Sequence, residues 1–504
     1  MKRATRLICL LVSAMFVLTI VLTACTGPTT STTTAPAATT AATTQSTSID
    51  TSKAVKLIMY LIGGPAKEYD MVLTEVNKKL QTDLNANVTV NWIGWGDFST
   101  KYPLTLASGE PIDLVYASTW TNFYQNAQKG AFLALEDLAP VYAPKSFASY
   151  TPEWINQATV NGHLYAFPAN FSQVGEMGYI VRGDLMTKYG IPDIKTIDDY
   201  GVFLDGIVKN DKAMIPACFV GATDGLDGYF VRSLYHYRNI TQWIWYDIDT
   251  GKVVDEMSIP EMPAFYDKMK VWSDKGYWPK SVLSNKDDQQ LQNGTAASRL
   301  HNQDTWNTAY MRQPEWDLRF YTTSSFTVST VAMQDGMAVP ASAANPERAL
   351  MFLELLKNDE AYYDLLTYGI KGTHFEVTAE NRIKPLKIDA FAPEGYCSWG
   401  FKTPEFYMPL DGAPANLQEV KDLLKSMAIK DPYALFAANY DPIKNEKAAL
   451  DNVMVQYEAP LNFGFVADPA EGLATLKQKM QEAGIEKMIA ELQTQLDAFK
   501  AANP

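Results

Sequence analysis

The sequence predicts an α/β fold. Three observations carry this: strand and helix signals alternate through the first part of the body, a second strand–helix series begins near residue 180, and the composition is that of an ordinary globular chain. Of 504 residues, 47% are apolar and 20% charged, which excludes a disordered, collagenous or multi-span membrane protein. The formal net charge is -14, and Lys2, Arg3 and Arg6 at the amino terminus leave the rest more acidic still. Such a surface repels phosphate backbones and no basic patch stands out, so nucleic acid is not an expected partner.

The elements follow in order. Val55-Lys56-Leu57-Ile58-Met59-Tyr60 reads as a strand. The loop Gly63-Gly64-Pro65 leads into an amphipathic helix over 67–84, with Met71, Val72, Glu75, Val76, Lys79 and Leu80 at helical spacing. A second strand covers 87–92. In the loop Gly94-Trp95-Gly96-Asp97, Asp97 is placed to cap a short helix to residue 106. Gly109-Glu110-Pro111 turns the chain into a third strand over 112–117. Strands separated by helices imply a parallel sheet covered on both faces. Ligands bind such sheets beyond the carboxyl ends of the strands, so Gly64, Trp95, Asp97, Ser118 and Trp120 are candidate ligand contacts. The second series places a helix over 198–209 and a strand over 214–220.

The amino terminus has the layout of an export signal. Three cations precede the apolar stretch 7–22, followed by the small residues Thr23 and Ala24. Leu22-Thr23-Ala24-Cys25 resembles the bacterial lipobox, which implies that Cys25 receives diacylglycerol and begins the mature chain. Paired acyl chains give stable membrane anchoring. Residues 26–52 are almost entirely Thr, Ala, Ser and Pro. They form no core and predict a tether of about 30 Å r.m.s. reach. The expected organisation therefore starts with a signal peptide, 1–24, and a lipidated cysteine with its linker, 25–52. Cys218 and Cys397 remain, either as a disulfide or as two buried thiols.

The motifs Gly94-Trp95-Gly96-Asp97, Lys101-Tyr102-Pro103-Leu104, Leu106-Ala107-Ser108-Gly109-Glu110 and Ile112-Asp113-Leu114 resemble the first lobe of family 1 extracellular solute-binding proteins of ABC importers, in particular the long lipoprotein branch. The resemblance continues through 161–168, Arg182-Gly183-Asp184-Leu185, Lys188-Tyr189-Gly190-Ile191, Gly336-Met337-Ala338-Val339, 345–349, 368–375 and the terminal helix around 484–500. It implies a two-lobed, type II periplasmic-binding-protein-like fold, each lobe a mixed β-sheet flanked by helices, with a hinge and an interlobe cleft. Lobe 1 is expected to comprise 53–170 with about 335–390. Lobe 2 would comprise 171–334 with about 391–504, including a C-terminal extension. The resemblance further implies a monomeric receptor on the outer face of the membrane, ABC permease subunits as partners, and no cofactor.

Aromatic side chains make up 12% of the chain, and many lie in loops beside Gly, Asp or Asn. Their flat faces suit the C–H faces of pyranose rings, so a carbohydrate or oligosaccharide is the expected solute. Asp304 and Trp306, in Asn302-Gln303-Asp304-Thr305-Trp306 after the strand-like 297–300, are candidate contacts from the second lobe. Trp243 and Trp245 read as packing. Asp247-Ile248-Asp249-Thr250-Gly251 begins like a calcium loop, but position twelve is Ser258 where a bidentate Glu is needed; a hairpin turn fits better. The four histidines share no ligand spacing, and His374 reads as structural. No metal site is expected.

Three classes stay open: a binding lipoprotein, a secreted glycoside hydrolase, and an adhesive surface protein. Glu110, Asp113, Asp304 and Glu315 would have to supply a hydrolase's carboxylate pair, and no spacing pairs them, so no catalytic residue is assigned. A peptide-binding receptor is the alternative within the first class. The lipobox reading makes Cys25→Ala a direct test: lipid labelling should vanish while the body folds normally, and continued labelling would refute the anchor.

Overall fold

Alternating burial along β1 (Val55–Ile62) puts Leu57, Met59 and Leu61 into a core. Helix α1 (Tyr69–Leu84) covers it with Tyr69, Val72, Val76, Leu80 and Leu84, whose three- and four-residue spacing forms one apolar stripe. Met71, placed on that stripe by the sequence, faces solvent. The chain returns as β2 (Ala86–Ile93), passes through α2 (Phe98–Ala107) and enters the sheet as β3 (Leu114–Ala117). The computed structural model describes residues 49–170 and 174–503. The signal segment, Cys25 and the linker as far as residue 48 lie outside the described residues.

A short strand, β4 (Ala166–Pro168), precedes β5 (Met177–Arg182). Helix α3 (Ile197–Asn210), capped by the reciprocal Thr196–Asp199 pair, follows. Next come β6 (Ser298–Asn302), α4 (Gln303–Arg312), β7 (Leu318–Tyr321) and β8 (Gly336–Ala338). The first sheet has the order β2-β1-β3-β8-β4. β1 runs parallel to β2 and β3, as the helical crossovers require. β8 is antiparallel to both its neighbours, so the sheet is mixed. A second sheet, β6-β5-β7, is antiparallel throughout.

The expected strand over 214–220 is reduced to bridges at Ile215 and Cys218. Pro216 interrupts it, because proline has no N–H for the ladder. Asp247 and Gly251 do close a hairpin between Ile244–Asp247 and Val253–Asp255.

The buried residues form separate cores. The first draws on 57–167 and 333–410. The second draws on 179–328 and 433–496, including Trp243 and Trp245. A small third cluster around Ile180, Trp306 and Phe320 lies on the other face of the second sheet. Phe391, Cys397, Phe401, Met408 and Leu410 belong to the first core, so the chain stays there some twenty residues beyond the expected departure near 390. Cys218 and Cys397 are both free, buried thiols in different cores. The Cys397 Sγ donates to the Ile62 carbonyl at 3.2 Å.

The second core contains an unusual group of carboxyls, Asp227, Glu256 and Glu458. Asn462 donates to Asp227 at 2.6 Å, and Trp245 approaches Glu256 at 3.4 Å. Burial raises all three carboxyl pKa values, and mutual repulsion raises that of Glu256 further. The folded state thus keeps protons that the unfolded chain releases above about pH 4. Their contribution to stability is present below that pH and is lost as pH rises through the folded values. The melting temperature should therefore fall between about pH 5 and pH 8, and Glu458→Gln, which mimics the neutral form, should reduce the fall. An equally steep fall in the variant would refute this account.

Candidate functional site

Three loops leave the carboxyl ends of β1, β2 and β3 side by side. Gly63, after β1, has φ +103, and a Cβ there would lie 2.8 Å from the Trp95 Nε1. Glycine is required on both counts. Gly64, the candidate ligand contact, has open space around it, while its neighbour Gly63 is the one that meets the tryptophan. Trp95, on a 3-10 turn after β2, is 38% exposed. Its ring lies 5.7 Å from that of Trp120 at 34°, and Phe98 packs edge-on to both. Trp120 in turn lies 5.2 Å from Tyr116 of β3.

Ser118 supports this arrangement from behind. It is fully buried, its hydroxyl donates to the Gln334 carbonyl and accepts from the Trp120 N–H, and its own N–H is taken by Thr121. Its expected role as a ligand contact is corrected: the hydroxyl fixes the turn that presents Trp120. Asp97 is also engaged. Its carboxylate meets Lys286 at 2.8 Å and Lys101 at 3.0 Å, and these two cations hold its pKa down to about 2.

The candidates from the second sheet separate. Trp306 is corrected outright: it is 1% exposed, its indole N–H donates to the Leu318 carbonyl at 2.7 Å, and its ring stacks on Phe320. It is a core residue on the inner side of α4. Asp304 sits exposed in the first turn of that helix, where Asn302 provides the cap and a carboxylate suits the helix dipole. Neighbouring Gln303 is buried and accepts the Glu176 N–H at 3.1 Å. Glu176 is also ion-paired with Arg232, pinning the chain where it passes between cores.

Sequence reasoning missed Tyr116, Trp399 and Lys286. The Trp399 Nε1 donates to the Tyr116 hydroxyl at 2.9 Å, and that hydroxyl donates to Asp335. Tyr116 lies inside a continuous apolar strand, and Trp399 lies 283 residues away, so no local pattern joins them.

The proposed hydrolase carboxylates do not pair. Asp113 is buried with one oxygen accepting the Ile58 N–H at 2.9 Å and the other the Asn345 N–H at 2.7 Å. Glu110, Asp304 and Glu315 are exposed on separate elements. His374 is structural as expected: its Nδ1 accepts from the Ile370 N–H, so its Nε2 carries the proton and donates to Glu68 at 3.0 Å. Among the described residues no group of His, Cys, Asp or Glu could hold a metal ion.

A mixed sheet whose parallel half presents an exposed tryptophan, backed by a half-buried one, beyond its carboxyl edge is an architecture suited to a binding protein, and the comparisons agree. Residues 66–363 match the model of the bacterial extracellular solute-binding protein, and 432–501 match a domain of unknown function, DUF3502. The chain belongs to the bacterial extracellular solute-binding protein family. It is thus an extracytoplasmic solute-binding protein, a receptor rather than an enzyme. It is 27% identical over 454 residues to a carbohydrate ABC transporter substrate-binding protein of Streptococcus pneumoniae, covering 88% of this chain and 90% of that one. The N-glycan transport solute-binding protein NgtS of S. pneumoniae, solved with Man5GlcNAc, superposes with a TM-score of 0.74 at 24% identity, covering 90% of this chain and all of that one. The S. pneumoniae substrate-binding protein FusA, solved with kestose, superposes with a TM-score of 0.60 at 16% identity, covering 89% of this chain and all of that one.

The two tryptophans should respond differently to truncation. Trp306→Ala should cost about 3–5 kcal/mol of folding stability, read by denaturant unfolding, whereas Trp95→Ala should cost far less. A similar loss in both would make Trp95 a packing residue.

Proposed function

We propose that the chain is a lipid-anchored receptor that captures a carbohydrate or oligosaccharide by closure of two lobes and delivers it to an ABC permease. The exposed Trp95, set beside the half-buried Trp120, carries this reading, because an apolar aromatic face open to solvent beside hydrogen-bonding loops matches the alternating C–H and O–H faces of a sugar. The N-glycan and kestose complexes of NgtS and FusA, and the name of the 27% identical relative, support a sugar over a peptide.

In this reading lobe 1 is the first core with its sheet, and lobe 2 is built from the second core and the third cluster. The chain crosses between them near 168–177, near 329–332 and after 410. A solute touching both lobes binds the closed form better and shifts the population toward it. The permease recognises the relative position of lobe surfaces, and partner subunits hydrolyse ATP. The Thr/Ala-rich segment, tethered through Cys25, keeps the body close to the membrane.

The test is calorimetric titration with Man5GlcNAc, kestose and short peptides. An oligosaccharide should bind saturably and be recovered chemically unchanged. Trp95→Ala should weaken that affinity about 5-fold to 150-fold, as expected for about 1–3 kcal/mol of buried aromatic contact. Binding of peptides alone, or product formation that tracks the purified protein, would overturn the reading.

A further inference from the structure

The Trp95 turn is held from outside its own core. Lys286 follows the 3-10 turn Lys280–Ser284, whose Val282 is buried in the second core, and precedes Leu291 of the third cluster. Its Nζ nevertheless reaches Asp97 of the first core's loop at 2.8 Å. The backbones also approach: a Cβ at Gly96 would lie 3.4 Å from the Lys286 Cβ and 3.6 Å from its carbonyl oxygen. Glycine at 96 leaves room for this contact, and Asp97 stands two residues along the same turn from the exposed Trp95. Asp97, at the N-cap of α2, has a second partner, Lys101, four residues on in that helix. That partner stays with Asp97 whatever the second core does, so the carboxylate remains oriented when Lys286 is withdrawn.

We propose that Lys286 is a positioning residue for solute capture: its pairing with Asp97 latches the Trp95 loop to the segment of the second core, and binding of an uncharged solute draws on that latch. The proposal rests on the closure reading above. The pair is solvent-exposed, with Lys286 70% and Asp97 38% accessible in their side chains, so its contribution is modest and screened by salt. This gives a signature that direct sugar contacts lack. A neutral glycan has no charge of its own for salt to screen, so any ionic-strength dependence of its affinity must arise within the protein.

Two experiments test it. The first is geometric and needs no solute. The Gly96 and Lys286 Cβ positions, 3.4 Å apart, lie just inside the short edge of a disulfide's usual Cβ separation of about 3.5–4.5 Å, within reach of a small backbone adjustment, so Gly96→Cys with Lys286→Cys should cross-link on mild oxidation of the ligand-free protein. Failure to cross-link in a folded double variant overturns the contact and the proposal with it. The second uses Man5GlcNAc as the probe. Its Kd for the unaltered protein should rise about two- to five-fold between low salt and about 0.5 M NaCl. Lys286→Gln and Asp97→Asn should each raise the low-salt Kd by a similar factor and abolish the salt dependence, and the double substitution should add nothing further. Lys101→Gln should keep the salt dependence. A flat Kd in the unaltered protein, or additive effects of the two substitutions, refutes the latch. If no glycan binds at any salt, the carbohydrate reading fails, and the cross-link alone decides the contact.

Discussion

The phenolic hydroxyl of Tyr116 ties together three parts of the chain that are remote in sequence. It donates to Asp335 at the entrance to β8 and accepts from the Trp399 indole, while its ring supports Trp120. Burial pushes its pKa well up, with Asp335 adding to the effect, so the hydroxyl stays protonated and remains a donor. A buried polar group of this kind is stable only when its partners are all in place. The carboxyl end of β3, the return strand β8 and the 398–401 turn are therefore fixed as a unit. The aromatic surface at the edge of the sheet rests on that unit.

The site separates support from contact in a way residue types alone do not show. Ser118 and Asp97 are the kinds of residue that bind hydroxyls, yet one holds a turn and the other holds two lysines. Of the residues proposed as contacts, Trp95 keeps an open face. The polar groups around it act through geometry, by fixing where that face points. This is how a binding site built on loops acquires the rigidity of the sheet behind it.

The stretch from residue 55 to about 120 was legible because its signals are local. Helix α1, both parallel strands beside it and the loops at their carboxyl ends follow from burial period and turn residues. Legibility failed where the deciding partner is distant. Trp306 follows a strand just as Trp120 does, but the helix it stands on turns its ring inward against Phe320. Pro216 removes a donor from an otherwise strand-like run. Lys286 lies 189 residues from Asp97, in a stretch with no recognisable motif. Core membership between 391 and 410 rests on side chains such as Cys397, which bonds to the backbone of β1 335 residues earlier.

The order of strands in the first sheet has a consequence for synthesis and export. β4 joins that sheet only through β8, and β8 lies between β3 and β4. The sheet cannot be completed until residue 338 is available, and its core not until residue 410. The second core likewise waits for the terminal helices. Neither core is a contiguous stretch, so a chain emerging amino-terminus first has no early folding unit of its own, and closing such long loops slows folding. For an extracytoplasmic receptor exported as an unfolded chain, as the proposed reading has it, that delay is useful. The part delivered first stays extended and translocatable while the residues that will lock it are still on the other side.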